Sequence, residues 1–185
     1  RRSVCIVLAR VKAGGKLLTC GNGGSASDAE HVVGELMKNF WIQRKIPQEM
    51  EQRLEAVGAQ DLAGRLHGAI PAISLNSQTT LLTALLNDVD PALIFAQQVY
   101  GYGKEGDALL AFSTAPHTEN VYNAVRVAKA LGMATVLVCG KDGGATAEVA
   151  DVAIHLPADV TFKIQELTLP TYHILCALME QAVFG

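Results

Sequence analysis

The sequence has few aromatic residues, few charges and no long apolar run. Aromatic residues make up 5% of its 185 residues and charged residues 18%, whereas 50% are hydrophobic. No run approaches the roughly 18 apolar residues that a membrane span requires, and polar residues interrupt the first stretch too early for a signal peptide. We therefore expect no membrane association and a single domain over 1–185, which can bury a core without a disulfide or structural metal.

Basic charge is also scarce, and the cysteines are not paired in sequence. Lys and Arg number 15 against 18 Asp and Glu, a formal net charge of −3, and they are scattered along the chain. Proteins that bind nucleic acid directly usually carry a basic patch or stripe, so this distribution argues against a nucleic-acid partner. Cys5, Cys20, Cys139 and Cys176 form no CxxC pair, and three of them lie in apolar runs. We interpret them as reduced thiols, which suits the cytoplasm.

Short apolar runs bounded by turn residues alternate with stretches of helical spacing. The runs predict strands at 16–20, 72–75, 108–113, 134–139 and 152–156. The intervening stretches predict helices at 26–39, 78–86, 91–101, 119–131 and about 161–183. This alternation predicts an α/β fold with a parallel sheet and helices on both faces, where ligands bind at the carboxyl ends of the strands.

The stretch 43–70 interrupts this alternation and carries much of the local charge. Its apolar residues recur at roughly helical intervals, namely Met50, Leu54, Val57, Leu62 and Leu66. We predict an amphipathic helical insertion, interrupted near Gly58. We interpret it as a packed lid or subunit-contact element rather than a linker.

A glycine-rich turn follows the first predicted strand. "GNGGSAS" at 21–27 lets the backbone approach an anion closely, and the following helix N-terminus favours negative charge. Asn22, Ser25 and Ser27 add hydrogen-bonding groups. The turn matches neither the Walker lysine pattern nor GxGxxG, which disfavours a nucleotide. A phosphate cradle and a plain turn into a core helix both remain open on this pattern.

Two helices carry polar pairs at helical spacing. His31 and Glu35 share a helix face, and taken alone an ordinary surface pair would explain them. In the last helix, "IQELTLPTYH" places Gln165, Thr168 or Leu169, and His173 at intervals of four on an otherwise apolar helix. The two helices are therefore candidates to converge on one pocket or metal. Pro170 should kink or break the last helix.

Five segments together resemble a known family. "LLTCGNGGSASDAEHVVGEL", "LLNDVDPALIFAQQV", "GKEGDALLAFST", "GKDGG" and "IQELTLPTYHIL" occur in the order and spacing of the phosphoheptose isomerase branch of the sugar isomerase (SIS) domain family. The resemblance covers the chain apart from 43–70. It implies a flavodoxin-like three-layer sandwich around a five-stranded parallel sheet and a homotetramer with sites between subunits. Members carry a further N-terminal helix, which we expect to be missing here.

The resemblance also implies an activity and its residues. Members convert sedoheptulose 7-phosphate to heptose 7-phosphate, an aldose–ketose isomerisation through an enediol, in which Glu35 corresponds to the base and His173 to the second acid–base residue. Members with zinc hold one ion per chain through residues matching His31, Glu35, Gln165 and His173. The implied substrate contacts are Asn22, Gly23, Gly24, Ser25, Asp88, Ser113, Thr114, Thr118 and Gln165.

The chain departs from the family pattern in one loop. Where the family reads Ser-Thr-Ser-Gly-Asn-Ser, residues 113–118 read "STAPHT", so Ala115 lacks a hydroxyl and Pro116 lacks a backbone N–H. Phe162 and Lys163 also replace the usual acidic and basic residues before Gln165. Two alternatives stay open. One is a non-catalytic member that binds a protein partner, as the relative that regulates replication initiation does, and the other is a phosphosugar sensor. Retention of Glu35 and His173 favours the enzyme.

Overall fold

A computed structural model describes residues 2–185 as eight α-helices and five β-strands. In chain order they are α1 (Arg2–Lys12), β1 (Leu17–Cys20), α2 (Gly24–Met37), α3 (Gln48–Ala56), β2 (Ala72–Ser74), α4 (Thr79–Asp88), α5 (Ala96–Tyr102), β3 (Ala108–Ser113), α6 (Glu119–Ala130), β4 (Ala134–Cys139), α7 (Gly144–Val149), β5 (Val152–His155) and α8 (Thr161–Phe184). Short 3₁₀ turns occupy Gln60–Leu62 and Pro91–Leu93. Among these residues, no helix combines the length and the apolar character that crossing a bilayer requires.

The strands form one parallel sheet in the order β2-β1-β3-β4-β5. Every residue of β3 and β4 is buried, which explains their nearly continuous apolar sequences and why their bounds match the prediction. β1 lies between β2 and β3, with Leu17 paired to both Ala72 and Ala108. This order is the flavodoxin-like one, with its topological switch point between β1 and β3. The predicted fold class is confirmed.

Helices cover both faces of the sheet. Adjacent residues of each strand point to opposite faces, so Leu17 and Leu110 enter one core while Leu18 and Leu109 enter the other. The first core is closed by α1, α2 and α8, and the second by α4, α5 and α6. Because α2 and α8 share the first face and pack against each other, the two helices that carry the candidate polar pairs are neighbours in space.

Several helix bounds differ from the predictions. Helices α1 and α7 were not predicted, and α2 begins at Gly24 rather than at residue 26. The predicted helix at 91–101 divides into a 3₁₀ turn and α5, because the Asp90 side chain accepts from the N–H of Ala92 and caps a separate turn that begins at Pro91.

The last helix continues through Pro170, so the expected break does not occur. Proline has no N–H to donate to the carbonyl of Glu166. Both residues are exposed, however, and water can pair with that carbonyl. The Thr171 hydroxyl donates to the next carbonyl, that of Leu167, at 2.7 Å.

The segment 43–70 is partly helical and mostly exposed. Helix α3 ends near Gly58, whose φ of +74° stops the helix where an interruption was predicted. Of the predicted apolar stripe only Leu54 is buried, while Val57 is 76% exposed and Leu66 44% exposed. Within the chain, the predicted apolar stripe is therefore mostly left unpacked. Its role as a lid or a subunit contact stays a prediction.

Candidate active site

The glycine turn after β1 is held by two asparagines that the sequence analysis missed. The Asn76 side chain donates to the carbonyl of Gly21 at 2.7 Å and accepts from its N–H at 3.3 Å. The Asn22 amide donates to Oδ1 of Asn120 at 2.8 Å and accepts from its amide at 3.2 Å. Asn76 follows β2, and Asn120 lies in the first turn of α6, the helix after β3. Because residues that follow the strands of such a sheet commonly line its binding site, these positions were the signal that could have identified both asparagines.

The first turn of α2 lies directly against α8. A Cβ at Gly24 would lie 2.3 Å from Nε2 of Gln165, so a larger residue there would displace the Gln165 side chain. Gly23 has a φ of +58°, which glycine adopts without strain. Ser25 is buried at 4% exposure, and its N–H donates to the carbonyl of Asn22. The structure thus brings the predicted turn residues and Gln165 together.

His31 and Glu35 are in direct contact on α2. Nε2 of His31 lies 3.0 Å from Oε1 of Glu35, and Nζ of Lys38 lies 2.9 Å from Oε2. The Glu35 side chain is only 13% exposed. Burial alone would raise the pKa of Glu35, but the hydrogen bonds and charges of Lys38 and His31 outweigh burial and lower it. Glu35 is therefore a carboxylate, the form that a base requires.

His173 joins this pair from α8. Its ring makes edge contacts with His31 at 5.2 Å and Tyr172 at 4.9 Å between centroids, and a tilted contact with Phe40 at 5.5 Å. Its Nε2 is buried and has no hydrogen-bond partner among the described residues. Helices α2 and α8 therefore converge as predicted, and the unpartnered Nε2 of His173 lies inside the cluster.

Two further polar residues support the cluster and were not predicted. The Tyr172 hydroxyl lies 2.8 Å from Nδ1 of His31, and Tyr172 is only 1% exposed. Burial, followed by the nearby charge of Asp28, raises the pKa of Tyr172 well above its usual range. Burial also raises the pKa of Asp28, against the opposing effects of His31 and Tyr172. The sequence signal for Tyr172 was its place beside His173.

The loop 113–118 folds back on itself. Oγ of Ser113 lies 2.8 Å from the carbonyl oxygen of Ala115 and 2.9 Å from Oγ1 of Thr118, and Oγ1 of Thr118 lies 3.2 Å from the same carbonyl. Thr114 is half-buried, and Ala115 is exposed. The two hydroxyls that would contact a phosphate are therefore engaged within the loop. Phosphate binding by this loop stays a prediction.

Asp88 is a further predicted site residue that makes no contact with the cluster in the described structure. It ends α4 and is exposed. Its carboxylate accepts from the amide of its neighbour Asn87 at 2.7 Å, and no side-chain hydrogen bond in the described structure joins it to another predicted site residue. A role for Asp88 in binding stays a prediction.

The four residues proposed to hold zinc do not form a ready cage. No group of three or more His, Cys, Asp or Glu within residues 2–185 is arranged to hold a metal ion. His31 and Glu35 hydrogen-bond to each other instead. The donor chemistry nevertheless fits zinc, which binds imidazole nitrogen and carboxylate oxygen. The unpartnered buried Nε2 of His173 fits a ligand as well.

Comparisons with known proteins agree on one family. The SIS domain profile matches residues 65–180. The chain is 38% identical over 172 residues to the phosphoheptose isomerase of Geotalea daltonii, covering 93% of this chain and 78% of that protein. It is 36% identical over 180 residues to the phosphoheptose isomerase of Clostridium acetobutylicum, covering 97% and 80%. A solved phosphoheptose isomerase structure from Francisella tularensis superposes with a TM-score of 0.80 at 30% identity, covering 97% of this chain and 84% of that one.

Proposed function

The chain belongs to the phosphoheptose isomerase family of SIS-domain proteins, and from this membership we propose that it interconverts sedoheptulose 7-phosphate and heptose 7-phosphate. The observation that carries the proposal is the convergence of Glu35 and His173 on one cluster at α2 and α8, beside the glycine turn. A protein that only bound a partner or sensed a sugar would not need a paired base and acid.

Glu35 acts as the base in this proposal. Aldose–ketose isomerisation moves a proton between adjacent carbons through an enediol, and a carboxylate takes that proton from one carbon and returns it to the next. The lowered pKa keeps Glu35 ionised. His31 at 3.0 Å and Lys38 at 2.9 Å hold its two oxygens in place.

His173 handles the oxygen proton. Its Nε2 has no protein partner in the described structure and is free to donate to or accept from a sugar hydroxyl or carbonyl. The ring is fixed by its contacts with His31, Tyr172 and Phe40. Such fixing lowers the entropy cost of reaching the reactive geometry.

We place zinc in this site as a further part of the proposal. His31, Glu35, Gln165 and His173 would hold the ion, and a bound zinc polarises carbonyl and hydroxyl oxygens as a Lewis acid. Binding requires His31 and Glu35 to give up their mutual hydrogen bond. It would also occupy the lone pairs of Glu35 and His173 that the acid–base roles use, so the ion is proposed as a ligand of the site and no catalytic step is assigned to it. We expect close to one zinc per chain after soaking. Metal analysis that finds none, with the histidine NMR signals unchanged, would remove zinc from the proposal.

We also propose a cytoplasmic homotetramer. Apolar side chains are exposed on the single chain, including Phe162 at 56%, Ile174 at 60% and Val89 at 60%, and contact between copies would cover such surface. In an assembly with sites between subunits, Asp88 would be able to reach a neighbouring site. Light scattering tests the assembly, and an active monomer would contradict it.

The decisive experiment is an activity screen on ketose phosphates of five to seven carbons, with and without added zinc. We expect the seven-carbon substrate to give the highest kcat/KM. Glu35→Gln is the matched variant, because it keeps the shape of the side chain and removes the base. If neither the parent nor the zinc-loaded protein isomerises any of these sugars, the isomerase proposal is wrong and binding of a protein partner takes its place.

A further inference from the structure

Arg44 and Glu180 form a buried ion pair that the proposed chemistry does not use. Nε of Arg44 lies 2.6 Å from Oε1 of Glu180, and the two side chains are 0% and 1% exposed. Removing two charges from water is costly unless further hydrogen bonds satisfy them. The remaining bonds of each residue therefore indicate what the pair does.

Arg44 closes the end of the helix that carries Glu35. Its Nη1 donates to the carbonyl of Leu36 at 2.6 Å and its Nη2 to the carbonyl of Glu35 at 2.8 Å. The last carbonyls of a helix lack intrahelical partners, and a glycine usually helps to satisfy them. Here α2 is followed by Lys38 in an extended conformation, so the guanidinium takes that role and fixes the turn on which Glu35 stands.

Glu180 ties the next segment to the helix that carries His173. Its carboxylate accepts from the N–H groups of three consecutive residues, Phe40 at 3.0 Å, Trp41 at 2.8 Å and Ile42 at 3.1 Å. Phe40 in turn lies against His173. Glu180 stands about two turns after His173 on α8, so one carboxylate links the chain leaving α2 to the helix of the second acid–base residue.

We propose that Arg44 and Glu180 are positioning residues that hold Glu35 and His173 at their working separation. The proposal rests on the isomerase function above. Neither residue touches the reacting groups, but each bonds to a main-chain segment that carries or contacts one of them. Arginine suits the place because its planar fork bonds the carboxylate and two carbonyls at once, which a lysine ammonium cannot match.

The test is a comparison with a partly buried ion pair at the other end of the sheet. Asp107 is fully buried, pairs with Lys16 and accepts from the N–H groups of Lys16 and Lys104, just before β1 and β3 begin. Arg44→Lys and Glu180→Gln should lower kcat by about 10- to 100-fold with KM changed less than about twofold, since a small misplacement of a catalytic group costs rate. The control Asp107→Asn should lower Tm and leave kcat unchanged.

Unchanged kcat in folded Arg44→Lys and Glu180→Gln proteins, or an equal loss in the control, would overturn the proposal. Should a single substitution unfold the chain, the double variant Arg44→Met with Glu180→Leu removes both charges together, which proteins tolerate better. We expect the same fall in kcat in the double variant. A wild-type kcat there would contradict the positioning role of Arg44 and Glu180.

A second readout needs no substrate. Hydrogen exchange at the amides of residues 40–42 should speed up in both variants, and the His173 imidazole NMR signal should shift, with neither change in Asp107→Asn. Should the parent protein lack isomerase activity, the proposed function fails while these signals still decide the positioning role. A His173 signal that stays in place while the amides at 40–42 exchange faster would contradict that role.

Discussion

The hydroxyl of Tyr172 lies 2.8 Å from Nδ1 of His31, while Nε2 of the same ring lies 3.0 Å from Oε1 of Glu35. A carboxylate only accepts hydrogen bonds, so Nε2 must carry the proton that faces Glu35. When His31 is neutral, its Nδ1 is then the acceptor, and the Tyr172 hydroxyl is placed to donate to it. Glu35 therefore fixes the tautomer of His31, and the buried Tyr172 hydroxyl supports the same ring from its other nitrogen.

Tyr172→Phe should test this support with little change in volume. Loss of the hydroxyl leaves Nδ1 of His31 without its hydrogen-bond partner, and comparable supporting contacts are worth about 10- to 100-fold in activity or metal affinity. We expect a fall in kcat of that order and shifted imidazole NMR signals of His31. Tyr100→Phe, at a residue 68% exposed, is the control. Identical His31 imidazole NMR signals and unchanged kcat in Tyr172→Phe would show that the hydroxyl has no such role.

Glu35→Gln should separate chemistry from binding. A positioned base contributes about 10²- to 10⁴-fold, so kcat should fall by that factor while KM changes little. Glu51→Gln, on the exposed surface of α3, should behave as the parent does. Full activity in Glu35→Gln would show that another residue acts as the base.

Restoring the family loop should strengthen phosphate binding. Ala115→Ser with Pro116→Gly adds a hydroxyl and a backbone N–H, and charge-assisted hydrogen bonds are worth roughly 1.5–3 kcal/mol each at best. We expect a lower KM with kcat nearly unchanged. Ala115→Ser alone separates the hydroxyl from the backbone donor. A higher KM in the double variant would mean that the natural loop is adapted to a different ligand.

Glu180 should make stability depend on pH in the acid range. Burial alone would raise its pKa, but the N–H groups of Phe40, Trp41 and Ile42 together with Arg44 lower it below the ordinary 4.5. A lowered folded-state pKa means that the carboxylate stabilises the fold above about pH 4.5, and that this contribution is lost as the pH falls through the folded-state pKa.

We therefore expect Tm to fall as the pH is lowered from 5 to 3, and Glu180→Gln to flatten that part of the profile. The exposed pair of Glu49 and Arg53 supplies the control, and Glu49→Gln should leave the profile unchanged. If Tm falls as steeply with decreasing pH in Glu180→Gln as in the parent, other carboxylates cause the loss of stability.

Local patterns predicted the parts of the structure that local interactions determine. The buried runs of β3 and β4 and the contact of His31 with Glu35 follow from spacing over a few residues. Long-range contacts have no such spacing. Arg44 reads as one more charge in a polar stretch, and only the fold shows that it lies against Glu180, 136 residues later.

The same distinction explains the missed supports of the site. Asn76 and Tyr172 acquire their roles from partners on other elements, Gly21 and His31. Helix α1 was missed because polar residues interrupt a short stretch whose apolar side, including Val7, packs on a core formed by distant elements. The segment 43–70 is the opposite case. Its apolar residues have helical spacing, but apart from Leu54 they stay largely unpacked within this chain.

The separation of 141 residues between Tyr172 and His31 bears on how the protein folds. Closing so long a loop costs chain entropy before any contact compensates for it, and contacts of this kind form slowly. All five strands precede α8 in the chain, so a folding chain can assemble its sheet while His31 and Glu35 still lack Tyr172 and His173. Catalytic competence should therefore appear after the sheet has formed during refolding. The rate at which activity recovers would then report the rate at which α8 docks.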